Sequence, residues 1–366
     1  MPEHLEIGSD RERVEERVRR WCEQTRLDGR RPLLSDAAAL AIAAGRLDEP
    51  VRTVLAARRR AGKTMPSIGG FSAIRVLEDE RRRWLAKETK NKPGSALVYR
   101  LRAAELAKRL DHLRTSVVMS PRHYASGVRA VRKDRREGLH LDLDERDALF
   151  DALTHTPVPK RESGTVVERA GLSLLDSAAV RVAEVSKNTR FEELGDRAAV
   201  VMAEFADQQH DAFSDRYETM LFLAGSAFDQ VQSSPAWRSE HFVVQRTQLD
   251  LVEELTQVAV DVNSLRDIDD ELDGIAAMMF DDATRAQVGS RRAALDTVWA
   301  QLIDRVAALV RVADLVTRAE GDLKTMDVMQ KAHSLDGRID DLVARAGHRE
   351  LSADNTHFVG DQLGPM

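Results

Sequence analysis

The sequence predicts an all-α protein, with an N-terminal short-helix region followed by a long-helix antiparallel bundle with coiled-coil-like hairpins. Three observations carry this reading. Aromatic residues make up only 5% of the 366 residues while 32% are charged, so Leu, Val, Ala, Ile and Met must build the core. Glycine and proline are few, at 20 and 10 residues, which favours long helices over sheets. Beyond residue 242 the apolar positions recur by fours and threes, which lays a stripe along one helix face.

The elements follow in order. Residues 9–26 read as a charged helix capped by Ser9 or Asp10, with Val14, Val18, Trp21 and Cys22 as a narrow apolar stripe. After Gly29 to Pro32, Ser35 caps a short Ala-rich helix that ends at Gly45. The next helix starts near Asp48, tolerates Pro50 in its first turn and runs to about Arg60. Gly62 to Gly70 is a loop, and helices over 72–90 and 95–115 are separated by Asn91-Lys92-Pro93-Gly94. Ser120 and Pro121 form an N-cap and first-turn pair for a helix reaching Arg136.

The stretch His155 to Lys160 reads as a linker between a basic region, 1–155, and an acidic bundle, 165–346, with 347–366 as a tail. One helix is expected from Asp196 to about Phe228, with a break at Ser233-Ser234-Pro235. Leu251, Leu255, Val258, Val262, Leu265, Leu272, Ala276 and Met279 form one seam, whose single missing step falls on Asp269. A second seam has Leu295, Val298, Leu302, Val306, Leu309, Ala313 and Val316, and a third has Leu335, Ile339, Leu342 and Ala346. Short breaks between them favour antiparallel hairpins over one extended rod. Pairing of the seams between chains, making a homo-oligomer or a docking site through 242–346, is the alternative.

Charge divides the chain more sharply than its pattern does. Residues 1–137 carry 32 Lys and Arg against 19 Asp and Glu, whereas the remainder carries 23 against 42. The overall net charge of −6 therefore hides a basic end and an acidic end. Between Arg46 and Arg136 there are 24 basic and 9 acidic residues. They cluster at Arg58-Arg59-Arg60 with Lys63, at Arg81-Arg82-Arg83 with Lys87, Lys90 and Lys92, and from Arg129 to Arg136. Such clusters release counterions from a phosphate backbone and give salt-dependent binding without base specificity. Arg outnumbers Lys 45 to 10, as a GC-rich bacterial genome produces.

An ordinary helical hairpin with an Ala-rich interface fits 35–60, and so does a helix-turn-helix, because Leu40, Ala41, Gly45, Val51 and Val54 have the spacing of that motif's contact, turn and anchor positions. The motif would present Arg52 and Thr53 to base edges. Leu47 in place of a polar cap, and Pro50, stand against it. Gly62-Lys63-Thr64 fails as a phosphate loop, since Ala57 occupies the position of the required leading glycine. Asp269, Asp270 and Asp273 have the spacing of a magnesium-binding carboxylate cluster, although few aromatics exist to line a pocket beside it. His210-Asp211 would need His155 and Asp250 to converge on it before it could hold a metal. The single cysteine excludes an intrachain disulfide, and neither a signal peptide nor a run of about 18 apolar residues is visible, so a cytoplasmic protein without a membrane span is expected.

These observations predict a non-enzymatic binding or assembly protein without a cofactor, with a subunit of a larger DNA-handling complex as one form it would take. Nucleic acid is the expected partner of the basic region, with phosphate contacts from Arg58, Arg59, Arg60, Lys63, Arg81, Arg82, Arg83, Arg132, Lys133, Arg135 and Arg136. The first rival is a protein-only scaffold whose oppositely charged halves attract each other. The second is a helical magnesium-dependent enzyme.

Overall fold

A computed structural model describes residues 3–160 and 211–362, apart from 64, 66, 67, 69, 91, 92 and 278–281. The described chain is all-α. Helix α1 (Glu3–Gln24) leads into a two-residue strand, β1 (Arg26–Leu27). The helices α2 (Asp36–Ala44), α3 (Glu49–Arg60), α4 (Ser72–Lys90), α5 (Pro93–Val118), α6 (Val128–Arg136) and α7 (Leu143–Leu153) follow. After strand β2 (Asp211–Ala212) come α8 (Arg216–Ser233), α9 (Pro235–Arg238), α10 (Val243–Gln248), α11 (Leu251–Ala277) and α12 (Asp282–Gln362). No helix among the described residues is long and apolar enough to cross a membrane.

Local chemistry sets many of these boundaries. Ser35 accepts the Ala38 N–H at 3.1 Å and starts α2, and Pro50 sits in the first turn of α3, where its missing N–H has no helical partner to lose. A capping box joins Asp142 and Glu145 at the start of α7, and Asp215 accepts the Glu218 N–H at 2.8 Å to open α8. The break at Ser234 separates α8 from α9 as its Ser-Pro pair predicts.

Several boundaries differ from the expected ones. Helix α1 begins at Glu3, ahead of Ser9 and Asp10. Ser120-Pro121 opens a single turn, because Tyr124 is drawn into the core, where its ring meets the Arg58 and Arg146 guanidinium groups. The helix then starts at Val128, after Gly127 takes a φ of +88°, a conformation that L side chains rarely adopt. No helix crosses 211–215, because Asp211–Ala212 pairs antiparallel with β1 and Lys160 bridges to Ala212. The earlier part of that expected helix lies outside the described residues. The segment from Phe242 is interrupted at Leu249, after which Asp250 accepts N–H groups of the first turn of α11. The second and third seams lie on one unbroken 81-residue helix, α12, so no hairpin separates them and 347–362 is no independent tail.

Two apolar cores meet at α2. The first joins Val14, Val18, Trp21 and Cys22 to α8, α11 and α12. The second joins α3, α4, α5 and α7. Ala38, Ala41 and Ile42 face the first core while Ala39 and Ala43 face the second, so this Ala-rich helix is buried on opposite sides. The basic region is therefore not a spatially separate body, since α1 and half of α2 pack inside the C-terminal bundle. Gly45 has ordinary helical angles, φ −63° and ψ −12°, so no turn conformation requires a glycine there. Close approach does: a Cβ added at Gly45 would lie 2.5 Å from the Ala259 Cβ on α11.

Candidate nucleic-acid interface

Helix α6 carries the densest exposed positive charge. Its sequence, 128–136, holds Arg129, Arg132, Lys133, Arg135 and Arg136, and its only acid is Asp134. Asp134 is 5% exposed and turns beneath the helix to meet Lys63 Nζ at 2.7 Å, while all five cations face solvent. This arrangement anchors the helix through its one carboxylate and leaves its positive charge outside. Arg129, Arg132 and Arg136 make no ion pair among the described residues. Lys133 stands 3.8 Å from Glu137, and Arg135 reaches Asp142 at 2.8 Å. Hydrogen bonds from Arg135 and His140 hold the Asp142 carboxyl below its usual range. Both ion pairs lie in water, where they are weak and open to exchange with phosphate.

The cluster on α3 divides into different environments. Arg58 requires a correction: it is 2% exposed and donates to the Leu139 carbonyl at 2.8 Å and to the His123 carbonyl, with its guanidinium 5.0 Å from the centre of the Tyr124 ring. Burial lowers its pKa. A guanidinium committed to two carbonyls and a ring face cannot reach a phosphate, so its role is structural. Arg59 forms a two-pronged pair with Asp250 at 2.7 and 3.0 Å, and that bond holds the Asp250 carboxyl below its usual range. Arg60 is exposed, and Lys63 is committed to Asp134. Arg52 donates to the Leu47 carbonyl and Thr53 to the Glu49 carbonyl at 3.0 Å. Both line a cavity of about 470 Å³ between α2, α3 and α11. Arg52 is thus half-buried and committed to its own turn, while Thr53 is exposed.

The third cluster, on α4, lies elsewhere. Arg81 grips Glu78 with two bonds of 2.9 and 2.8 Å, and Arg82 adds a third at 2.9 Å. The Arg81 hydrogen bond, followed by lesser effects of both arginines, pulls the buried Glu78 carboxyl below its usual range. Arg83 is exposed. Arg75 of the same helix reaches the Thr154 carbonyl at the C-terminal end of α7, whereas Arg135 meets Asp142 at its N-terminal end. Eleven helical residues, about 16 Å, separate those ends. The structure therefore joins the α3 and α6 clusters through Lys63–Asp134, while Arg81 and Arg82 pair with Glu78 of their own helix.

The remaining candidate sites resolve into other contacts. Asp269 accepts from Tyr217 Oη at 2.7 Å and Arg216 at 3.0 Å, Asp273 pairs with Arg292, and Asp270 points to solvent. Asp250 is held by Arg59, while His155 lies against the Thr154 hydroxyl and the Asp151 carbonyl, so they do not form one site; His210 is outside the described residues. Among the described residues no three His, Cys, Asp or Glu side chains are grouped to hold a metal ion. Sequence reasoning missed the role of Asp134, placed Arg129 only within its basic cluster, and considered Asp250 for a metal site rather than as the partner of Arg59. For Asp134 the signal was its isolation as the one acid in a helix of cations. No family model, curated protein or solved structure matches this chain.

Proposed function

We propose that this protein is a non-enzymatic binding and assembly protein that contacts the nucleic-acid backbone through α6. The observation that carries this reading is the division of charge on that helix, with its single carboxylate buried on Lys63 and its five cations outside. Arg129, Arg132 and Arg136 are the principal phosphate contacts. Arg60 on the adjoining α3, and Lys133 and Arg135 after exchange of their acidic partners, extend the surface. No base-reading element is assigned, so binding is expected to follow salt rather than sequence. The long helix α12 supplies the assembly function, offering length to a protein partner or to a second copy.

A second reading has its own support. Arg11–Asp304, Arg17–Asp314 and Arg59–Asp250 join the basic region to the acidic one at 2.9, 2.8 and 2.7 Å. Charge complementarity within one chain is the basis of a protein-only scaffold. The two readings separate on a fluorescently labelled 30-base-pair duplex of random sequence. Binding at 50 mM salt that falls at least tenfold in the Arg129→Ala, Arg132→Ala, Arg136→Ala triple variant supports the first. Absence of binding by the folded wild-type protein at that salt leaves the scaffold.

A further inference from the structure

The cavity between α2, α3 and the first turns of α11 has a chemistry that backbone binding does not use. Its floor is aliphatic, made by Ala37, Leu40, Ala41 and Ala44 along one side of α2, with Leu55 and Val252 on the walls. Of the cations that line it, Arg58, Arg59 and Arg60 lie in the last turn of α3 and Lys63 just beyond, while Arg52 lies near the other end of that helix beside Glu49, and Glu253 faces in from α11. The Arg59 end receives the N-terminus of α11 through Asp250, which bonds Arg59 and also accepts the Val252 and Glu253 N–H groups at 3.1 and 3.2 Å. A volume of about 470 Å³ is that of a small-molecule site. It is too small for a docked helix, which is about 10 Å across with its side chains.

We propose that this groove binds a single-chain alkyl carboxylate, with the chain on the alanine floor and the head group on Arg59 and Arg60. Charge complementarity fixes the sign of the head. The carboxylate follows from Arg59, whose guanidinium already holds one in two-pronged geometry. Asp250 then acts as an internal competitor for that guanidinium. The inference goes beyond the nucleic-acid reading and does not depend on it.

Calorimetric titration of the full chain with dodecanoate, below its micellar range and without nucleic acid, tests the site. One-to-one binding is expected, with dodecyltrimethylammonium at least tenfold weaker. Ala37→Trp fills the exposed end of the floor and is expected to weaken dodecanoate at least tenfold, as is Arg59→Gln. Asp250→Asn retains a helix-capping side chain while removing the competing charge, and tightening of threefold or more is expected. Circular dichroism verifies that each variant is folded. No dodecanoate binding by the wild type, equal binding of the cationic amphiphile, or unchanged affinity in folded Ala37→Trp overturns the proposal.

Discussion

Arg58 and its neighbour Arg59 are adjacent in sequence and have opposite fates. Arg58 follows Val51 by seven residues, two helical turns, so it falls on the face of α3 that already holds a buried anchor. Helix phase could have separated it from Arg59 and Arg60; counting charge could not. Replacing Arg58 by Met keeps much of the apolar stem but leaves the Leu139 and His123 carbonyls without their donor. A loss of about 3 kcal/mol in urea unfolding is expected, whereas Arg60→Met should cost less than about 0.5 kcal/mol. Equal effects would contradict the buried role of Arg58.

Cys22 illustrates a residue whose chemistry is set chiefly by packing. Burial pushes its thiol from 9.0 up to about 12. The unfolded chain therefore releases the proton from about pH 9, while the folded chain retains it until about pH 12. The associated stability is fully present below pH 9 and is lost as pH rises through that window. At pH 10.5 wild type is expected to have lost about 2 kcal/mol more than Cys22→Ala, each relative to its own value at pH 8. Tyr217 shifts in the same direction in both proteins and cancels from the comparison. Parallel urea-unfolding profiles across pH 8 to 10.5 would contradict this account.

At the level of elements, the sequence was most legible where pattern and packing coincide. The α11 seam is buried at Leu251, Leu255, Val258, Val262, Leu265 and Leu272, and its missing step at Asp269 is the seat of the Tyr217 hydroxyl. Periodicity located both the stripe and its gap. It could not supply the partner for Asp269, which lies 52 residues away. The Ala41–Gly45–Val51 spacing matched a helix-turn-helix for a different reason, since Gly45 is where α11 crosses α2. Gly45→Ala puts a Cβ against the Ala259 Cβ and its backbone, and a cost of about 1–3 kcal/mol is expected in thermal or urea unfolding. A neutral or stabilising Gly45→Ala would mean that α11 does not approach so closely.

At the scale of the whole molecule, the end-to-end charge split did not forecast the arrangement. The linear division into basic and acidic regions is crossed by β1–β2, by α1 packed on α12 and by the Arg11, Arg17 and Arg59 ion pairs. Apolar contacts between residues some 200–300 positions apart decide this, and charge counts carry no information about them. The breaks expected within 282–362 are absent because no Pro lies there to stop the helix. An 81-residue helix is about 120 Å long, so small-angle scattering is expected to give a maximum dimension of at least that length. A radius of gyration of about 21 Å, the value for a compact domain of this size, would contradict an extended α12.

The central claim concerns the outward charge of α6, and the salt dependence of duplex binding tests it most directly. Affinity for a random 30-base-pair duplex is to be measured between 50 and 300 mM NaCl for wild type and for the Arg129→Ala, Arg132→Ala, Arg136→Ala variant. The wild type is expected to lose affinity linearly on logarithmic axes, and the variant slope should be shallower by about 2–3. Wild-type binding with the same slope as the folded variant, or no binding at 50 mM, would contradict it.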